Sequence, residues 1–327
     1  MPDVLTVPHS VRGRLTAPSG KSPALAPQRP LTTTVPREYV HRSSVTEVFL
    51  TDWRGNGDDA WTVDAQWPRA HSFYGPAHGL HDPMMLAETV RQAGLLLNHV
   101  GHGIPLGHPV IWGSMRYSAD PEALALAGAP ADVEVRVHDH DIVRRGSRLS
   151  SMRQIFDAYR DDRRLGRVEC TFTCHIPAVY RRLRGPYADL GHALARAIPP
   201  AAPVRPALVG RDRPADVVLS PTAETDRWQL RADISHPVLF DHPVDHAPGM
   251  LLVEAARQAA YAAVGPGPSI AAAMDCSFVR YGELDAPCWI RAEAAGHDDA
   301  GRPRVAVTAE QHGHPVFTAT VSCAPVG

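Results

Sequence analysis

The chain has 327 residues, 44% hydrophobic and 21% charged, a balance that supports two ordinary globular domains and excludes a disordered or fibrous protein. Its formal net charge of -2 supplies no global attraction to nucleic acid or an anionic membrane, and no run approaches the ~18 apolar residues of a membrane helix. The cysteines, Cys170, Cys174, Cys276, Cys288 and Cys323, form no CxxC pair, and their odd number suits a reducing, cytoplasmic setting better than a disulfide framework.

In chain order, residues 1–35 are rich in Pro, Ser and Thr without periodicity and are expected to form a disordered arm. The fold should begin near Val35. Residues 61–73, WTVDAQWPRAHSF, alternate like a strand and end in Phe. HDPMMLAETVRQAG (81–94) then opens a helix, with Asp82 as N-cap and Pro83 at the first helical position. Apolar residues occupy nearly every side of it as far as Val100, which predicts a buried helix. Three alternating runs follow, 133–137, 150–159 and 167–175, with the polar turn YRDDRRLG between the last two. Residues 176–214 read as an irregular linker, since their PPAAPVRP (199–206) cannot lie within a helix or a central strand. Arg181, Arg182 and Arg184 make this linker locally basic, either as a solvated surface or as a docking point for an acidic partner.

Beyond the linker the pattern repeats. WQLRADISHPVLF (228–240) matches 61–73, and HAPGMLLVEAARQAA (246–260) matches 81–94, so that Glu88 falls on Glu254 at an offset of 166 (254 − 88). Arg91, Gln92 and Ala93 fall on Arg257, Gln258 and Ala259, and an Arg-Tyr pair follows in each copy, Arg116-Tyr117 and Arg280-Tyr281. The second helix spans 250–264 and is entered through Pro248-Gly249; alternating runs 288–294, 304–311 and 316–323 complete the copy. One long helix followed by an antiparallel meander, twice, predicts an α+β tandem hotdog, two curved sheets each wrapped on a central helix. The first hotdog is assigned to residues 36–175 and the second to 215–327.

Each apolar helix carries one Glu and, three residues later on the same face, one Arg. Burying such charges costs several kcal/mol unless they are paired, so the repeated pair marks either a lock between the two helices or a functional site. For a site, an apolar setting should raise the carboxyl pKa toward that of a general acid or base, and the unpaired amides at the helix start could hold a carbonyl oxygen as it becomes an oxyanion. Histidines cluster in the loops before the helices: His71, His78 and His81, then His236, His242 and His246. No metal site is expected, because the pairs His78/His81 and His242/His246 lie in Pro/Gly-bounded loops and nothing completes a ligand set.

VPREYVHRSSVTEVFLTDW (35–53), HDPMMLAETVRQAG and HPVLFDHPVDHAPGMLLVEAARQAA (236–260) together resemble the hallmark segments of the A-factor biosynthesis hotdog proteins, synthases of γ-butyrolactone-type signals. The shorter APGMLLVEA (247–255) is also similar to the helix start of hydroxyacyl-carrier-protein dehydratases. The family resemblance implies transfer of a β-ketoacyl group from acyl carrier protein to the primary hydroxyl of dihydroxyacetone phosphate, the ester going on to a butenolide, furan or γ-butyrolactone signal. It implies no cofactor. It points to Glu88 and Arg257 as catalytic, with Glu254 and Arg91 as their repeat counterparts. Neighbouring His81, Asp82, Gln92, His246, Gly249 and Gln258 are expected to bind substrate. In this reading Glu88 is the base, the helix-start amides are the oxyanion donors, and Arg257 anchors the phosphate, with the Glu of one copy meeting the Arg of the other. A thioesterase or dehydratase acting on an acyl thioester, and a non-catalytic acyl-binding regulator, are the alternatives. Acyl chain length and oligomeric state are left open.

Overall fold

The computed structural model describes residues 33–57, 59–265 and 267–326. The expected arm lies outside these residues except for its last three, of which Val35 is already buried, its N–H bonded to the Leu50 carbonyl at 2.9 Å. The first half runs β1 (Leu50–Gly57), β2 (Ala60–Trp67), α1 (Met84–Val100), β3 (Val110–Ala119), β4 (Ala131–Arg145), β5 (Arg148–Arg160) and β6 (Arg163–Cys174). Two short helices, α2 (Pro177–Arg184) and α3 (Leu190–Ala195), then occupy a stretch expected to be irregular. The second half runs β7 (Leu219–Pro221), β8 (Arg227–Leu230), α4 (Gly249–Val264), β9 (Ser269–Phe278), β10 (Trp289–His297), β11 (Pro303–Gln311) and β12 (His314–Pro325).

All these strands form one antiparallel sheet in the order β1-β2-β4-β5-β6-β3-β9-β12-β11-β10-β8-β7. Read inward from either edge the order is the same, so the halves are tandem hotdogs joined edge to edge through β3 and β9, and the two expected sheets are continuous. At the junction Met115 pairs with Cys276 and Tyr117 with Met274, and the buried Tyr117 hydroxyl donates to the Ala271 carbonyl at 2.7 Å.

Strand residues alternate between buried and exposed, most cleanly along β4 and β5, because one face of the sheet covers the helices and the other meets solvent. Nearly every residue of α1 is buried, as expected for a helix apolar all round and enclosed by its sheet. Close approach is needed where α1 crosses β6: a Cβ on Gly166 would stand 2.7 Å from Leu86 and 2.6 Å from the Ser118 carbonyl oxygen. The Asp82 side chain does cap α1, accepting from the Met84 N–H at 2.9 Å.

Two expectations need correction. The runs 61–73 and 228–240 are strands only as far as Trp67 and Leu230: Pro68 ends the first ladder, and the second chain passes into a turn begun at Asp233, whose carbonyl accepts from His236 N. The Arg-Tyr repeat is fortuitous: Arg116 and Tyr117 lie within β3, whereas Arg280 and Tyr281 follow the end of β9. Among the described residues no helix is long and apolar enough to cross a membrane.

Candidate active site

The Glu-x-x-Arg-Gln segments of the two central helices build the same buried network twice. In α1 the fully buried Glu88 carboxylate accepts from Arg91 Nε at 2.9 Å and Nη2 at 2.8 Å, from Gln92 Nε2 at 2.7 Å, and from Arg42 Nε at 3.1 Å. In α4 Glu254 accepts in the same way from Arg257 Nε at 2.9 Å and Nη2 at 2.7 Å, from Gln258, and from Arg211 Nε at 3.0 Å. Each Gln also ties its helix to the segment before the first strand: Gln92 bonds Phe49 N and Glu47 O, and Gln258 bonds Val218 N and Asp216 O. The outer arginines then cross between halves, Arg42 Nη1 donating to Val238 O at 2.8 Å and Arg211 to Phe73 O.

The expected upward shift of the carboxyl pKa is therefore overturned. Burial alone would raise Glu88, but the Arg42 and Arg91 guanidiniums outweigh it and hold the carboxyl at about 2. Glu254 is lowered as well, burial being outweighed by Arg211 and Arg257. Both are permanent carboxylates surrounded by cations. The expected meeting of Glu88 with Arg257 does not occur either: each Arg pairs with the Glu of its own helix, and no hydrogen bond or ion pair joins Glu88 to Arg257 among the described residues. Gln92 and Gln258 are fully buried struts of these networks.

Arg42 and Arg211 are the residues that motif reading missed. Their signal was present as a further repeat, VHRSSVTEVF (40–49) against VGRDRPADVV (209–218). Each Arg follows a short turn of 3-10 helix and one residue of positive φ, His41 at 51° and Gly210 at 65°. A non-glycine residue there is uncommon. His41 is held by a 2.9 Å bond between its Nε2 and that of His99, whose Nδ1 donates to the Ile104 carbonyl at 2.6 Å, so His41 is the donor. Burial, with the Arg91 charge, depresses the His41 imidazole to about 3 and keeps it neutral.

Around these matching networks the surroundings differ. A cleft of 810 Å³ brings Arg91, Leu95 and Asn98 of α1 to the start of α4 at Pro248, Gly249 and Met250. Its walls are mainly apolar, with Trp112, Phe172 and Phe278, and Asp245, His246 and Tyr281 stand at the α4 end. The Gly249 and Met250 amides have no hydrogen-bond partner among the described residues; the first bonds of the helix are Leu251 and Leu252 to the Pro248 carbonyl. Gly249 packs closely here, a Cβ standing 3.0 Å from the Trp112 ring, so a larger residue would have to push that ring aside. The Arg91 side chain retains 16% exposure, and its Nη1 makes no hydrogen bond among the described residues.

The counterpart cavity, 320 Å³, brings Arg257 of α4 to the start of α1 at His81, Asp82 and Pro83. Here Asp82 occupies both partners: Oδ1 takes the Met84 amide and Oδ2 takes Arg257 Nη1 at 3.3 Å. His81 is buried against the edge of Trp67, with its Nε2 unpartnered. One junction thus leaves a guanidinium N–H and helix-start amides open to a roomy apolar cleft. The other satisfies the same groups internally.

The model for the A-factor biosynthesis hotdog domain matches residues 24–175 and 192–327. The chain is 45% identical over 291 residues to 2-oxo-3-(phosphooxy)propyl 3-oxoalkanoate synthase of Streptomyces virginiae, covering 89% of this chain and 98% of that one. It is 41% identical over 293 residues to the Streptomyces coelicolor protein of the same name, covering 88% and 91%. Among solved structures, the pyran synthase domain from module nine of the sorangicin pathway aligns with a TM-score of 0.50 at 12% identity, over 85% of this chain and 98% of that one, a likeness of fold.

Proposed function

Because the chain belongs to the A-factor biosynthesis hotdog family, we propose that its larger cleft transfers a 3-oxoalkanoyl group from acyl carrier protein to dihydroxyacetone phosphate. The chain is an acyltransferase that joins an acyl donor to a phosphooxypropyl acceptor. Cutting the ester named for the Streptomyces enzymes at its acyl–oxygen bond yields a 3-oxoalkanoyl unit and the primary hydroxyl of dihydroxyacetone phosphate. A carrier-bound thioester supplies that acyl unit with a good leaving group. The two hotdog units, 36–175 and 215–327, each lend one central helix to the cleft, and the linker 176–214 borders it.

The observation that carries this reading is the meeting, in one apolar cleft, of an open guanidinium edge on Arg91 with the free amides of Gly249 and Met250. A dianionic phosphate pairs with the first, and the tetrahedral oxyanion of acyl transfer with the second. The apolar walls receive the acyl chain. Glu88 and Arg42 hold Arg91 in place, while Glu254, Arg257 and Asp82 brace the opposite junction. Arg91 thus takes the anchoring part that the family resemblance gave to Arg257.

For the carrier protein, α2 offers exposed Arg181 and Arg182 beside Leu183, 64% exposed, while Tyr180 of the same helix lines the cleft. Arg184 takes no part, being buried and ion-paired with Glu283. We place the reaction in the cytoplasm, a setting that suits five buried free thiols.

The test is mass spectrometry of a β-ketoacyl carrier thioester incubated with the enzyme, with and without dihydroxyacetone phosphate. The phosphorylated ester, formed only when the acceptor is present, is the expected product. Free acid at the same rate in both samples would make the protein a thioesterase.

A further inference from the structure

Thioester-to-ester transfer needs a base for the attacking hydroxyl, and the Glu88 carboxylate, enclosed by two arginines, is not one. From the geometry of the cleft we infer that His246, oriented by Asp245, is that base; the assignment rests on the acyl-transfer reading above.

His246 Nδ1 lies 2.5 Å from Asp245 Oδ1. Since the carboxylate can only accept, Nδ1 carries the proton and Nε2 keeps its lone pair. Asp245 is itself fixed: its other oxygen accepts from the Tyr180 hydroxyl at 2.6 Å, and Arg184 Nε lies 3.8 Å away. Burial would raise the Asp245 carboxyl, but the His246 and Tyr180 hydrogen bonds and Arg184 outweigh it and keep it ionised. The His246 ring stands edge-on to Tyr281 at 4.8 Å, and the Arg184 guanidinium covers that Tyr ring at 4.0 Å, so the imidazole is held from two sides. Its side chain retains 29% exposure, in the wall of the cleft and three residues before Gly249.

The other histidines of the cleft, His41, His108 and His242, are less suited; among the described residues His108 has no carboxylate within ion-pair distance. His41 spends its Nε2 on His99. His242 stands 3.6 Å from Asp241, whose two oxygens already accept the Ser43 and Ser44 amides. The second half of the duplication supplies an internal comparison. His81 holds the corresponding place before α1, but Leu80 precedes it where Asp245 precedes His246, and His81 is buried without a carboxylate partner. The carboxylate behind the histidine is found only at the junction whose helix start is open.

The step balances without a redox partner. His246 Nε2 takes the acceptor hydroxyl proton as that oxygen bonds to the thioester carbonyl carbon, and the carbonyl oxygen, now anionic, is held at the α4 start. Collapse of the intermediate breaks the C–S bond, and the leaving thiolate receives the proton from the imidazolium. An oxygen ester and a free thiol result.

The experiment is single-turnover transfer from a β-ketoacyl carrier thioester to dihydroxyacetone phosphate by the full-length His246→Asn enzyme. Calorimetric binding of dihydroxyacetone phosphate and thermal melting are measured on the same sample. Asn keeps a donor for Asp245 but has no base, so the transfer rate should fall roughly 10²–10⁴-fold with acceptor binding retained. His246→Gln serves as a second variant if Asn fails to fold, with the same expectation. Asp245→Asn, a positioning variant, should lower kcat while the KM for the acceptor holds. A wild-type enzyme that makes no ester would sink the acyl-transfer reading itself. An active wild type beside a folded His246 variant of equal rate would overturn the base assignment alone.

Discussion

Glu88→Gln separates the two roles open to the buried carboxylate, because it preserves volume and removes charge. In the native protein Glu88 is 0% exposed and accepts from Arg42, Arg91 and Gln92. Its carboxyl is held at about 2 against an ordinary 4.5, a depression worth about 3 kcal/mol of folding stability at roughly 1.4 kcal/mol per pH unit. Breaking a buried pair from one side costs about 3–5 kcal/mol by the general rule, since Arg42 is left buried beside a neutral amide. The two routes agree, so urea unfolding at pH 7 should show Glu88→Gln destabilised by about 3–5 kcal/mol. The sign of the pH dependence follows from the depressed pKa. The carboxylate's contribution is fully present above the unfolded value near 4.5 and is lost as the pH falls toward 2, so the stability gap between wild type and variant should close over that window. A variant that unfolds at the wild-type urea concentration yet transfers no acyl group would refute this and return Glu88 to the role of base.

Arg91→Ala should raise the KM for dihydroxyacetone phosphate by roughly 10–100-fold, the loss of a charge-assisted hydrogen bond, with a smaller effect on melting because Arg42 still pairs with Glu88. Arg257→Ala should do the reverse: it leaves Asp82 unpaired beside a half-compensated Glu254, so chemical denaturation should show a loss of about 3 kcal/mol, while the KM of the folded fraction is unchanged. Arg181→Glu with Arg182→Glu should raise the KM for the carrier-bound donor and flatten its salt dependence, while a small acyl-cysteamine donor is turned over as by the wild type; equal effects on both donors would remove α2 from carrier docking.

How far the sequence reveals this molecule depends on which interactions are local. The duplication, both central helices, the Asp82 cap and the late strands were legible because apolar periodicity and capping act over neighbouring residues. The strand β9 was not, since its IAAAMDC core lacks the bulky β-branched alternation of a strand and is held by pairing on both sides with β3 and β12. The Glu-Arg pairs could be picked out as buried charges, but the sign of their pKa shift could not. It depends on Arg42 and Arg211, 46 and 43 residues before the glutamates they pair with, whose arrival is a matter of tertiary packing. Arg257 was likewise legible as a buried cation, while its neutralisation by Asp82 of the other half was not.

The duplication also supplies its own picture of a bound anion. At the junction of α4 with the start of α1, Asp82 places one oxygen on a helix-start amide and the other on the free guanidinium edge of Arg257. The opposite junction has the same guanidinium, borne by Arg91, and a helix start within the same cleft, but HAPGM stands where HDPMM stands in the first copy, and Ala247 supplies no carboxylate. A chain that fills one such place with its own carboxylate satisfies those groups permanently and gains a brace between its halves. Leaving the other place open costs it the cap and the ion pair, a cost of about 1 kcal/mol or more by the usual worth of an N-cap. On the acyl-transfer reading proposed above, that deficit is recovered when the acceptor phosphate meets Arg91 and the oxyanion meets the α4 amides, two groups doing what the two Asp82 oxygens do at the closed junction. On that proposal the two halves divide one inherited geometry: the closed junction, with its Asp82–Arg257 pair, braces the fold, and the open one is left to bind.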